Sequence, residues 1–238
     1  MAVLGVIGGL GPMATAYFMQ LVTQMTKAEN DQEHIKMLIH SDPGVPDRTS
    51  YILDATKENP EPHLVRIGQE LAERGAQVLA IPCITAHYFH HTLQEQIGIP
   101  MIHTIKETSS YLKKNGIEKV GIMATDGTIK SRLFQQECGL LGIDCVTPEP
   151  EYQKDVMHLI YNNVKAGLPV ETERFRAVQK NLKEQGAQVI LLGCTELSIM
   201  KRDNKLDAGF LDVLDVLAKR SVELCGTLHP RFENLITE

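Results

Sequence analysis

Leu71-Ala72-Glu73-Arg74-Gly75-Ala76-Gln77-Val78-Leu79-Ala80-Ile81-Pro82-Cys83 returns later in the chain as Leu182-Lys183-Glu184-Gln185-Gly186-Ala187-Gln188-Val189-Ile190-Leu191-Leu192-Gly193-Cys194. Leu, Glu, Gly-Ala-Gln-Val and the closing Cys are identical, and the apolar run before each Cys keeps its character. Each copy reads as a helix end, a glycine stop, a buried strand and a thiol at the strand's C-terminal tip. Ligands of parallel α/β sheets sit at strand C-termini. Two matched thiols at two such tips point to one site with sulfur on both sides.

Working outward, apolar strand-like runs alternate with helical periodicity, the pattern of a parallel α/β fold. Val3–Ile7 reads as a first buried strand and Lys119–Met123 as its counterpart. Helices are expected over Pro12–Lys27, Pro62–Glu73, Thr85–Glu95, Thr128–Leu141, Glu151–Lys165 and Glu171–Gln185, and short strands at Met37–His40, Pro100–His103 and Asp144–Val146. The polar segment Ser41–Asn59 reads as a long loop with a short helical stretch. Leu211–Leu224 is amphipathic, has no counterpart inside either repeat, and is expected to return to the first lobe. The predicted architecture is therefore two similar α/β lobes, each a mostly parallel sheet flanked by helices, related by a pseudo-twofold with the site between them. Residues 1–98 plus 209–238 are assigned to the first lobe and 99–208 to the second.

The bulk properties exclude several classes. The net charge of −6 offers no attraction to nucleic acid or to an anionic membrane. No apolar run approaches the ~20 residues of a membrane span. Met1 leads straight into the first strand without a basic leader, which predicts a cytoplasmic protein. Five cysteines without C-x-x-C spacing argue against a disulfide framework or a zinc site, so no metal is expected.

Two motifs carry candidate chemistry. Thr85 and Thr195 follow the repeated thiols just ahead of helical sequence, and threonine is a good helix cap, so both sulfurs are placed at helix N-termini. Orphan N–H groups there favour a thiolate. The turn Gly8-Gly9-Leu10-Gly11-Pro12 opens a helix directly after the first strand, and the backbone of Gly9, Leu10 and Gly11 is a candidate anion cradle. Gly9-x-Gly11-x-x-Ala14 also matches a loose dinucleotide fingerprint, a weak signal by itself.

Together, Gly8-Gly9-Leu10-Gly11-Pro12-x-Ala14-Thr15, Pro46-Asp47-Arg48-Thr49, Pro82-Cys83-x-Thr85-Ala86-His87, Gly127-Thr128-Ile129 and Gly193-Cys194-Thr195-Glu196 resemble the cofactor-independent aspartate/glutamate racemase superfamily. Glu196 in the second cysteine motif and the Gly-Gly-Leu-Gly-Pro opening are similar to its aspartate branch. The resemblance implies an isomerase, a racemase of an acidic amino acid, aspartate foremost. It implies that Cys83 and Cys194 face opposite sides of the substrate Cα as a two-base pair. Arg48 matches the binder of the side-chain carboxylate and Lys165 a second positive contact. Thr85, Thr128 and Thr195 are candidate donors to the developing charge, and Glu196 is placed to hydrogen-bond near Cys194. No cofactor is implied, the partner is a small amino-acid substrate, and homodimers are usual for the resembled family.

The chain departs from that pattern at Ile84, where the branch usually carries Asn. An amide there can hydrogen-bond a substrate; isoleucine cannot. Three alternatives stand beside an acidic-amino-acid racemase. They are a racemase or isomerase of another amino acid or dicarboxylate on the same scaffold, a non-catalytic amino-acid-binding protein, and a nicotinamide dehydrogenase resting on the glycine match.

Overall fold

The computed structural model describes residues 1–204 and 206–238. Its first half runs β1 (Leu4–Gly8), α1 (Pro12–Met25), β2 (Met37–Ser41), α2 (Arg48–Leu53), α3 (Glu61–Glu73), β3 (Val78–Ala80), a 3-10 segment (Ile84–Phe89), α4 (His90–Ile97) and α5 (Thr104–Lys114). The second half runs β4 (Lys119–Met123), α6 (Asp126–Ser131), α7 (Leu133–Leu140), β5 (Asp144–Val146), α8 (Pro150–His158), a π-helical turn (Leu159–Val164) and α9 (Thr172–Glu184). It closes with β6 (Val189–Leu192), α10 (Thr195–Asp203), β7 (Phe210–Asp212) and α11 (Val213–Cys225).

Two parallel sheets result, ordered β2-β1-β3 and β5-β4-β6-β7. The strand expected at Pro100–His103 is reduced to one parallel bridge, Leu79 to Met101. Leu79 N–H donates to Pro100 O at 2.8 Å and Ile102 N–H to Leu79 O at 2.9 Å, which holds this residue where β7 lies in the second sheet.

Side-chain alternation decides the layers. Leu4, Val6, Val78 and Ala80 of the first sheet point into one shared core with Val120, Ile122, Val189 and Leu191 of the second. Ile7, Leu79 and Ile81 point the other way, onto α3 and α4; Met123, Ile190 and Leu192 point outward onto α8, α9 and α10. Residues of α1, α5, α7 and α11 fill the shared core. There the two halves exchange helices. The helix after Met101, α5, packs on α7 of the second half; the helix after β7, α11, packs on α1 of the first.

Leu211–Leu224 therefore has a counterpart after all, namely α5, hidden in the sequence because only one residue of strand precedes it. Phe210–Asp212 also pair with β6 of the second sheet, although 209–238 were assigned to the first lobe. Two expected helices are broken. Arg132, with φ of 57°, ends α6 in the left-handed region before α7 begins. The helix leading to Lys165 widens into the π turn, where Lys165 N–H donates to Ile160 O at 2.9 Å. Such turns shift the side chains that follow by a fraction of a helical turn.

Candidate active site

Cys83 follows the end of β3 by three residues and Cys194 the end of β6 by two. Cys83 and Cys194, both 6% exposed, line one closed cavity together with residues of both halves. The cysteines themselves occupy the N-cap positions, Cys83 of the 3-10 segment and Cys194 of α10. The expected threonine caps are thus first-turn residues instead. Ile84, one residue earlier than anticipated, starts a tight 3-10 run rather than an α-helix.

The two sulfurs meet opposite charges. The buried guanidinium of Arg48 faces Cys83; burial works against its charge, and the sulfur and Asp47 more than offset that, so its pKa stays above the ordinary value. Cys194 Sγ–H donates to Glu196 Oε2 at 2.9 Å. Burial, then the carboxylate charge and this hydrogen bond, push the Cys194 thiol well above its ordinary range. Cys194 is therefore a protonated thiol at neutral pH. Lys165 Nζ lies 3.8 Å from Glu196 Oε1 and 4.5 Å from the centre of the Tyr161 ring. Burial opposes its charge, yet Glu196 and Tyr161 leave its pKa raised.

Arg48 is tied into the backbone. Its Nη1 donates to Val45 O (3.1 Å) and Pro46 O (3.0 Å), and its Nη2 to Leu10 O (2.8 Å). Its buried Nε has no partner among the described residues. The guanidinium thus staples the glycine turn to the Pro46–Thr49 loop, leaving Nε–H and one Nη2–H as its uncommitted donors.

The glycine turn is likewise committed to structure. Gly9 N–H donates to Thr15 Oγ1 at 2.9 Å, so it is not free to cradle an anion as expected. Gly9 is required for another reason. Its φ is +88°, and a Cβ would fall 2.4 Å from Asp42 N. Leu10 alone of the turn reaches the sulfur cavity; Gly9 and Gly11 line a larger opening next to it.

Three threonine hydroxyls close a ring across the two halves. Thr85 lies 3.0 Å from both Thr125 and Thr128, which are 3.1 Å from each other. Thr85 and Thr125 line the cavity, whereas Thr128 stands behind them and does not. Thr195 lines it as expected, with its hydroxyl 3.4 Å from Glu196 Oε2. Gly127, in the quoted Gly127-Thr128-Ile129 motif, lets α6 approach α2: a Cβ there would sit 2.9 Å from Thr49 Cα.

The cavity also holds Asp47 and Thr49, quoted in the motif around Arg48 but given no role there, together with Thr125 and Tyr161. Asp47 Oδ1 accepts Ser50 N–H at 2.7 Å to cap α2, and its Oδ2 accepts the Tyr161 hydroxyl at 3.3 Å. A signal existed for both. Asp is a preferred N-cap just before Arg48, and Tyr161 stands four residues before Lys165, on the same helical face.

The sulfur cavity encloses only about 10 Å³, space for one water. It adjoins a vestibule of about 420 Å³, and Leu10, Asp47, Arg48, Lys165 and Glu196 border both.

A family model for Asp/Glu/hydantoin racemases matches residues 7–220, a span that contains every residue of the cavity. The chain belongs to this racemase family. It is accordingly an enzyme of the isomerase class. The racemase is 25% identical over 230 residues to the broad specificity amino-acid racemase RacX of Bacillus subtilis (strain 168), covering 92% of this chain and 96% of that one. Among solved structures it superposes on the aspartate racemase of Picrophilus torridus with a TM-score of 0.82, 25% identity and 98% coverage of both chains. The fold is also that of glutamate racemase from Francisella tularensis subsp. tularensis SCHU S4, solved with D-glutamate (TM-score 0.69, 17% identity, 94% of this chain and 80% of that one). No helix among the described residues of the racemase is long and apolar enough to cross a membrane.

Proposed function

We propose that this racemase inverts the α-carbon of an amino acid by two-base proton transfer between Cys83 and Cys194. The observation that carries the reading is the opposite charge beside the two sulfurs in one cavity: Arg48 at Cys83, Glu196 at Cys194. Two-base inversion needs one proton acceptor and one proton donor at rest, on opposite faces of the carbon. Cys83, beside the Arg48 cation, acts as the base that takes the α-proton; the Cys194 thiol gives its proton to the other face. Turnover in the reverse direction starts with the proton on Cys83.

The hard step is the carbanion beside an anionic carboxylate. Fixed donors at the developing charge lower its cost. Thr85, Thr125 and Thr195 line the cavity for that purpose. The start of α10 adds its positive end beside Cys194. Asp47 and Glu196 are the acceptors present for a substrate ammonium. Aspartate, the substrate the motifs first suggest, would set its second carboxylate against Arg48 and Lys165; both cations already face carboxylates.

Proton NMR in D2O, following the α-proton of separate L- and D-amino acids without added cofactor, tests the reading. Exchange of both enantiomers of one amino acid, lost in Cys83→Ala and in Cys194→Ala, is expected. Binding without exchange would mean an amino-acid-binding protein and would sink the two-base mechanism. A homodimer, implied by the family resemblance, belongs to the same reading and is checked by light scattering.

A further inference from the structure

The walls of the two connected spaces differ in chemistry. The sulfur cavity is lined by hydroxyls and charged groups. The vestibule outside it is walled by Pro12, Met13, Val45, Val164 and Ile199, with the charged groups confined to the border. An amino acid whose Cα sits between the sulfurs therefore finds partners for its ammonium and carboxylate inside, and an apolar wall for whatever projects outward.

The charge balance points the same way. Arg48 stands beside Asp47, and Lys165 pairs with Glu196 at 3.8 Å, so the four ionised border groups sum to zero. A zwitterion with a neutral side chain enters such a site without leaving a charge uncompensated. A second carboxylate would be desolvated where the two cations among the described border residues already face Glu196 and Asp47, which is costly in a buried site. Three of the Arg48 donors hold backbone carbonyls, and the guanidinium that carries the remaining two faces the Cys83 sulfur, where the Cα end of a substrate sits and not its side chain. Ile84, 2% exposed and lining the sulfur cavity, adds a further apolar surface where a polar side chain would have helped a diacid. The vestibule's 420 Å³ also exceeds what the short CH2–carboxylate arm of aspartate fills.

We infer that the substrate's side chain is neutral and apolar, of leucine or methionine size, and is housed in the vestibule; this rests on the two-base reading. Met13, 59% exposed at the vestibule, is a specificity-determining position on this account.

The test is α-proton exchange in D2O by the full-length wild-type protein with leucine, methionine, aspartate, glutamate and lysine, each as both enantiomers. Leucine or methionine is expected to exceed aspartate at least tenfold in kcat/KM. A preference for aspartate, glutamate or lysine overturns the inference while leaving two-base racemisation intact. Absence of exchange with every member overturns the two-base reading itself, and the inference with it. Met13→Arg sets a cation in the vestibule at an exposed position that tolerates it; the leucine-to-aspartate ratio is expected to fall at least fivefold. An unchanged ratio in Met13→Arg means the side chain does not lie there.

Discussion

Cys194 donates its thiol proton to Glu196 Oε2 at 2.9 Å, and the same carboxylate faces Lys165 through its other oxygen at 3.8 Å. Glu196 thus keeps the proton on one sulfur and is itself held by a cation. Its position two residues after Cys194 puts thiol and carboxylate together at the start of α10.

Glu196→Gln removes the charge but keeps the shape. Burial still holds the Cys194 pKa up, but the electrostatic contribution disappears, so the thiolate forms at lower pH. The rate of Cys194 alkylation by iodoacetamide, followed on its peptide by mass spectrometry, is expected to rise at pH 8 by about tenfold, one pKa unit. An unchanged alkylation profile would show that Glu196 does not hold the proton there.

Arg48→Lys keeps the charge beside Cys83 but cannot span the carbonyls of Leu10, Val45 and Pro46. A lysine is a point donor where a planar fork is needed. Leaving buried carbonyls unsatisfied costs about 1–3 kcal/mol each. The urea midpoint is expected to drop and kcat to fall at least a hundredfold. Full activity in this variant would mean that charge alone matters at residue 48.

Thr85→Val takes one hydroxyl from the inter-half ring and leaves Thr125 and Thr128 bonded to each other. A buried neutral hydrogen bond contributes about 1 kcal/mol. Stability is expected to change by that order, while kcat falls more than stability does, because Thr85 also lines the sulfur cavity. Equal losses in both would assign Thr85 a purely structural role.

His87, 1% exposed, stacks at 5.9 Å from the rings of both His90 and His103, which are 4.2 Å apart. Burial, reinforced by the neighbouring imidazoles, depresses His87 well below its ordinary value and His90 to about 4; burial lowers His103 too, against the pull of Glu137. A folded pKa below the unfolded one of ~6.5 gives stability that is complete above that value and lost as pH falls toward the folded pKa. Urea midpoints are therefore expected to decline from pH 6.5 to pH 4, with about two or more protons taken up on unfolding near pH 5. His87→Phe should reduce that uptake by about one proton; an unchanged slope would point to carboxylates as its source.

Much of this site was legible in the sequence because the repeat writes strand, thiol and helix start together. Cys83, Cys194, Thr85, Thr195, Glu196 and Arg48 lie within a few residues of a strand end or a loop motif, so local reading suffices to bring them to one place. What stayed hidden depends on the third dimension. Tyr161 reaches Asp47 from a widened helical turn, and such a turn has no periodic signature. Three Arg48 donors are taken by carbonyls from two separate loops, which no motif encodes. The Gly9 amide turns inward to Thr15 because its residue must adopt a positive φ. The correspondence between α5 and α11 was masked because one residue of strand leaves no alternation to detect.

The exchange of α5 and α11 means that neither half of this molecule is self-sufficient. A polypeptide ending at Lys114 would carry α5 with no α7 beneath it and leave α1 bare on the side that α11 covers. The chain is thus organised as a covalently tethered pair, and any attempt to splice in a foreign half must carry over its partner's terminal helix as well.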